Sequence, residues 1–287
     1  MSLTRASLAG TLPGRSLKTV RLPWFANGQT ITVSDVSGYT STTTPSTANT
    51  KSGWVQIIAS TSAECGLLML CPNGTQFATD RSVMFDIGIG AAGSEVAIAQ
   101  NIAAGGAFFS WGFASPIPVF IPQGTRISWR AQTGLASTAI NGSLNIVTLR
   151  TGDNSLTPRS VDTLGAITSS SRGTAMSGAA GTYTEITPAT DKPYQALLMI
   201  PSTGNTSGLP NVASNLTLGI GVAGSEVAIG GMQIQTNGGT VGPSSSFNQP
   251  SLIIGRQIPA GTRIAVAHNL SSNPGNLQVA VIGVPYR

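Results

Sequence analysis

GIGAAGSEVAI, residues 88–98, and GIGVAGSEVAI, residues 219–229, share ten of eleven residues in one chain of 287. Self-similarity of that density marks an internal duplication, and the flanking segments carry it further. GLLMLCP from Gly66 matches ALLMIPS from Ala196, IPQGTRISW from Ile121 matches IPAGTRIAV from Ile258, and SLNIVTL from Ser143 matches NLQVAVI from Asn276. Four blocks in the same order define two homologous modules. Their boundary falls in TGDNSLTP, residues 151–158, where Gly, Asp, Asn and Pro supply linker chemistry. The division expected from the sequence is an extended basic arm over 1–34, a first module over 35–150, a linker over 151–158 and a second module over 159–287.

Each module reads as β structure. In TRISWRA, Ile127 and Trp129 alternate with Arg126, Ser128 and Arg130, which puts the apolar set on one face of a strand. The second copy repeats the pattern with Ile264 and Val266 against Arg263. QTITVSDV, GWVQIIAS, LNIVTL, ALLMI and QVAVIGV are short β-branched runs bounded by Gly, Pro, Asn or Ser. EVAIAQNIAAGGAFF could be a helix in isolation, but its counterpart EVAIGGMQIQTNGG carries paired glycines that oppose one. The expected fold class is therefore all-β: two tandem antiparallel β-sandwich modules, with jelly-roll connectivity as the suggested form.

The glycines at 88, 90 and 93, and again at 219, 221 and 224, spell G-x-G-x-x-G after a strand. A dinucleotide site also needs a following helix and an acid about 20 residues on. No acid follows Glu95 before Asp153, and none follows Glu226. Positive φ in a turn, or close sheet packing, explains the glycines without a ligand. Glu95 and Glu226 occupy one repeat position, and Arg126 and Arg263 another, so local Glu95–Arg126 and Glu226–Arg263 pairs are expected rather than a catalytic carboxylate pair across one cleft. His268, the only histidine, falls on the face of Ile264 and Val266, where the first copy has Ala131, and reads as a satisfied residue at the core edge. Cys65 and Cys71, six strand residues apart, lie too far from each other for a disulfide. Trp129 belongs to the core. Trp24, Trp54 and Trp111 keep open a glycan-stacking role for the first module. No catalytic, cofactor-binding or metal constellation assembles from these residues, so no cofactor and no enzymatic activity are expected.

Charged residues make up 9% of the chain against a hydrophobic share of 40%, which excludes a disordered polar tract. No stretch approaches the roughly 20 apolar residues of a membrane helix. Of the net charge of +5, four units come from Arg5, Arg15, Lys18 and Arg21, ahead of the first acid, Asp35. Four charges without interleaved aromatics are a thin footprint for nucleic acid. The residues expected to contact a protein partner are Arg15, Lys18, Arg21, Leu22, Trp24 and Phe25, a basic and apolar cluster without the periodicity to fold alone.

The duplicated GIGxAGSEVAI and IPxGTRI blocks resemble uncharacterised structural proteins of tailed-bacteriophage virions. The resemblance implies a non-enzymatic capsid- or tail-attached accessory protein, of decoration, cement, collar or fibre-base type. It would be made in the host cytoplasm, carried in the virion, and act through contacts with other virion proteins and copies of itself as a homo-oligomer. Small-molecule substrates, nucleic acid and membrane are not expected partners; a receptor- or glycan-binding module of an adhesion device is the alternative.

Calorimetry should give no saturable heat when NAD or ATP is titrated into the protein. Binding abolished by Gly90→Val or Gly221→Val in a chain that still folds would reverse the reading of the glycines.

Overall fold

The computed structural model describes residues 32–38, 40–73, 83–104, 115–133, 141–150, 157–165, 173–203, 212–236, 253–254, 257–270 and 277–287. The arm residues Arg15, Lys18, Arg21, Leu22, Trp24 and Phe25 lie outside them, as does most of the 151–158 linker. Every regular element among the described residues is a β-strand. The first half holds β1 (Thr32–Val36), β2 (Thr40–Thr43), β3 (Val55–Ile58), β4 (Leu67–Asn73), β5 (Val83–Ile89), β6 (Val96–Ala104), β7 (Ser115–Ile117), β8 (Ile127–Thr133) and β9 (Asn141–Arg150). The second holds β10 (Asp162–Leu164), β11 (Thr174–Ala175), β12 (Tyr183–Thr187), β13 (Tyr194–Thr203), β14 (Val212–Ile220), β15 (Val227–Thr236), β16 (Ile253–Ile254), β17 (Ile264–His268) and β18 (Leu277–Pro285).

In the first half one sheet runs β1-β9-β4-β7, with β2 also on β9, and the other runs β3-β8-β5-β6. The second half gives β10-β18-β13-β16, with β11 on β18, and β12-β17-β14-β15. The two orders are the same, strand for strand, and all pairings are antiparallel. With β1 and β2 counted as one interrupted strand, the pairs are first with last, second with second-last, and so on inward to the β5–β6 hairpin. That nesting is a long hairpin rolled over on itself, the jelly roll. β1 starts at Thr32, so residues 32–34, expected in the arm, belong to the first sheet.

Alternation fills each roll. Phe85 and Ile87 from β5 and Ile127 and Trp129 from β8 are buried in the first core, with Phe85 edge-on to Trp129 at 5.4 Å between ring centroids. In the second, Leu216, Leu218, Ile264 and Val266 take the same positions. Cys65 and Tyr194 form equivalent isolated bridges to Ile121 and Ile258, the first residues of the two IPxGTRI blocks. This anchor sets Leu68 against Leu197 and Leu70 against Met199, one residue away from the pairing of GLLMLCP with ALLMIPS that sequence similarity suggests. A slip of one residue exchanges the faces of a strand, and core burial decides it: Leu68, Leu70, Leu197 and Met199 all point into their own cores.

The two rolls are not independent bodies on a linker. The outer face of the β10-β18-β13 sheet carries Ala196, Leu198, Ile200, Ile282 and Val284, which join the apolar core of the first half beside Ile98 and Ile102 of β6. Val161 donates its N–H to the Ile98 carbonyl at 2.9 Å, and the Thr163 hydroxyl donates to the Gln100 carbonyl. Thr157 and Pro158, expected in the linker, are buried, and the Pro158 carbonyl accepts from the Phe120 N–H at 2.7 Å. The Arg287 guanidinium lies 4.8 Å from the centre of the Phe120 ring.

A shared core should unfold as one. All four tryptophans precede residue 130, so indole fluorescence reports the first half while far-ultraviolet circular dichroism reports both. The two probes should give coincident denaturation curves. Leu198→Ala, a change in the second half, should lower the fluorescence midpoint by the equivalent of about 2–5 kcal/mol; a fluorescence transition unmoved by it would mean that the rolls unfold separately.

Candidate functional site

The duplicated block is the turn between β5 and β6 and its copy between β14 and β15. A strand follows each turn, not a helix. Each of its three glycines has a steric cause. A side chain at Gly88 would meet the Trp54 ring at 2.8 Å, and one at Gly219 would meet the Tyr183 ring at 2.5 Å. Gly90 and Gly221 have φ of 119° and 117°, and Gly93 and Gly224 have 81° and 80°, values that L side chains rarely adopt.

Arg126 and Arg263 clamp these turns. Arg126 Nη1 donates to Glu95 Oε1 at 2.8 Å and to the Gly90 carbonyl at 3.1 Å, while Nε donates to Gln56 Oε1 at 2.9 Å. Arg263 Nη1 donates to Glu226 Oε1 at 2.8 Å and to the Gly221 carbonyl at 3.3 Å, with Nε on Glu185 Oε2 at 2.7 Å. The Glu95–Arg126 and Glu226–Arg263 pairs expected from the sequence are therefore present. The Arg126 hydrogen bond holds the Glu95 carboxyl below the usual carboxylate range. For Glu226 the larger cause is its own backbone N–H, followed by Arg263.

A second clamp escaped the sequence. Thr61 Oγ1 donates to the Pro122 carbonyl at 2.7 Å and accepts from the Thr125 N–H at 3.0 Å. Thr190 does the same with Pro259 at 2.8 Å and Thr262 at 3.1 Å. The equal spacing of Thr61 from Cys65 and of Thr190 from Tyr194 was the available signal, hidden because nothing else between them matches.

Among the described residues Asp86 is a buried carboxylate whose repeat position in the second half holds no acid. Asp86 is 2% exposed; its Oδ1 accepts from the Asn101 N–H at 2.9 Å, and its Oδ2 accepts from Arg130 Nε at 2.8 Å and from Lys51 Nζ. The Arg130 guanidinium also covers the Trp54 ring at 4.4 Å from its centre. Ser52, beside Lys51, exchanges two hydrogen bonds with Ala131. The cluster thus pins the segment leading into β3. The second half has Thr217 and Ala267 where the first has Asp86 and Arg130. With one Trp54 face under Arg130 and Trp129 fully buried, the described tryptophans are engaged internally; Trp24 and Trp111 lie outside the described residues.

Between the halves lies a cleft of about 360 Å³ of mixed lining, with Gln100 and Asn101 on one side and Val161, Asp162, Asp191 and Tyr194 on the other. The Tyr194 hydroxyl donates to Asp191 Oδ1 at 3.0 Å, and Lys192 pairs with Asp162 at 2.9 Å. Burial, then the charge of Asp162, pushes the Tyr194 phenol up, so it keeps its proton at neutral pH. The Cys65 thiol is pushed up to about 12 by burial and stays protonated as well. His268 is buried as expected, yet only half satisfied: Nδ1 accepts from the Leu270 N–H at 3.2 Å, while Nε2 meets no partner among the described residues. Among the described residues no group of three or more His, Cys, Asp or Glu side chains could hold a metal ion.

No family model matches the chain, and no curated protein matches it. Among solved structures it is similar to PNGF-II, with a TM-score of 0.38 at 10% identity over 82% of this chain. It spans 59% of the length of PNGF-II. It is also similar to the STIV MCP, a viral major capsid protein, with a TM-score of 0.34 at 10% identity, covering 88% of this chain and 96% of that one. The peptide N-glycanase F (PNGase F) gives 0.34 at 10% identity, covering 90% and 96%. Likenesses this distant carry no argument about activity.

Lowered folded-state carboxyls stabilise fully above their unfolded value, near 4.5, and lose that contribution as pH falls through the lower folded value. Urea midpoints measured from neutral pH down to about 2 should therefore fall less steeply on the acid side for a Glu95→Gln, Glu226→Gln double variant, which should be the less stable protein at neutral pH. An acid limb identical to that of the unaltered chain would show that these two carboxylates contribute nothing to the pH dependence of folding.

Proposed function

We propose that the chain is a non-enzymatic structural component of a tailed-phage virion, a capsid- or tail-attached accessory protein acting through contacts with other virion proteins and with copies of itself. The observation that carries this reading is where the residues shared by both copies go. Glu95, Arg126 and their counterparts Glu226 and Arg263 are bonded to each other and to turn carbonyls, and the shared glycines serve turn geometry and ring packing. What the duplication has kept is rigid architecture. The jelly roll is one of the architectures from which viral shells are built, though a fold by itself assigns no function. The resemblance of the GIGxAGSEVAI and IPxGTRI blocks to virion proteins supports the same reading.

In this proposal the arm is the anchor. Leu22, Trp24 and Phe25 would be buried on a neighbouring virion protein, with Arg15, Lys18 and Arg21 paired at the rim. Immunogold labelling of purified particles should place the chain on the shell, neck or fibre base; particles without it would refute the virion reading. A chain starting at Gly28 should keep its β circular dichroism but fail to join particles, and attachment of the intact chain should weaken as salt rises. Incorporation of the shortened chain at normal occupancy would move the contact from the arm to the sandwich faces.

A further inference from the structure

The junction that joins the two rolls has its counterparts on the outer sides of the molecule. In the first half, β6 is the edge of its sheet, and the second half covers it: Ile98 is 4% exposed. In the second half β15 has the same edge position, with β14 as its one sheet neighbour among the described residues. Ile229, the repeat equivalent of Ile98, is only partly buried there, and Ala228 is exposed where Ala97 is half-covered.

The complementary side is also repeated. β1 corresponds to β10, since Asp35 pairs with Thr148 as Asp162 pairs with Gly283. From the same ladders Val36 corresponds to Thr163, Met69 to Leu198 and Val147 to Ile282. Leu198 and Ile282 are completely buried against the first roll, whereas Met69 and Val147 are only partly buried and Val33 and Val36 are 53% and 64% exposed. One chain thus carries both members of a junction it has already formed once internally.

We infer that copies of this chain associate head to tail, the β15 edge of one packing on the β1-β9-β4 sheet face of the next in the geometry of the internal junction. The inference rests on the self-association within the proposed function and names its surface. A second copy is the occupant because it brings the same strand order and register that fit this edge inside the molecule; another protein would need to reproduce both. The two surfaces differ, so the contact is heterologous and builds a ring where the rotation closes and a filament where it does not. Its residues are apolar and backbone groups, so it should tolerate salt that weakens attachment through the basic arm.

Sedimentation of the full chain with two single variants tests this. Val36→Asp spoils the sheet face and Ala228→Arg spoils the edge, both at exposed positions that should leave the fold intact by circular dichroism. Val222→Asp, at the exposed tip of the β14–β15 turn, is the control and should assemble like the unaltered chain. Each of the first two variants should sediment as a monomer, and an equimolar mixture should give a dimer and nothing larger, because one intact edge and one intact face remain. Monomeric variants whose mixture stays monomeric, or variants that assemble unchanged, would overturn the head-to-tail surface while leaving self-association standing. An unaltered chain that is monomeric throughout the accessible concentration range would instead remove the self-association on which the inference rests.

Discussion

The sheet formed by β10, β18 and β13 must be buried on both faces, and the rest of the molecule is arranged around that requirement. Leu197, Met199, Val279 and Val281 fill the second roll from one face, while Leu198, Ile282 and Val284 on the other would lie in water without the first roll against them. Burying a side chain of this size is worth about 1.5–3 kcal/mol. Several of them on one face bind the halves far more firmly than a flexible linker could. The first roll meets the demand with an edge strand, β6, whose carbonyls accept from Val161 and Thr163. An edge that would otherwise invite foreign strands is thereby covered.

Within each roll the turn chemistry serves the same end. A nested hairpin closes only if its innermost turn is tight and stays aligned with the strands beside it. Positive φ at Gly90 and Gly93 provides the tightness, and Arg126, reaching Gly90 and Glu95 together, ties the turn to β8. The absence of a side chain at Gly88 lets Trp54 lie against the sheet, and Gly219 does the same for Tyr183. The ring differs between copies but the glycine does not, because any Cβ there would collide with either aromatic.

The copies diverge where burial permits alternatives. Trp129 fills the first core, whereas the second has Val266 at that position and an additional buried imidazole at His268 in place of Ala131. The Asp86 cluster shows the cost of a charge in such a place. With Lys51, Arg130 and the Asn101 N–H all spent on it, removing any one would leave a buried carboxylate short of a partner. The second copy avoids the requirement with Thr217.

The sequence by itself determined the duplication, the all-β class, the Glu–Arg pairs, the core position of Trp129 and the structural use of the glycines. Each of these depends on local periodicity, or on residues whose identity is forced twice. The unbroken apolar runs ALLMI and VAVIGV also held the sign of a sheet buried on both faces, since alternation disappears when neither face meets water. Only the tertiary structure decided the register of β4 against β13, the Thr61 and Thr190 clamps, the Asp86 cluster and the covering of β6 by the second roll. A strand's partner, and the face it turns to that partner, are fixed by contacts between residues far apart in the chain, and a run such as LLML reads equally well in either register until a core is there to choose.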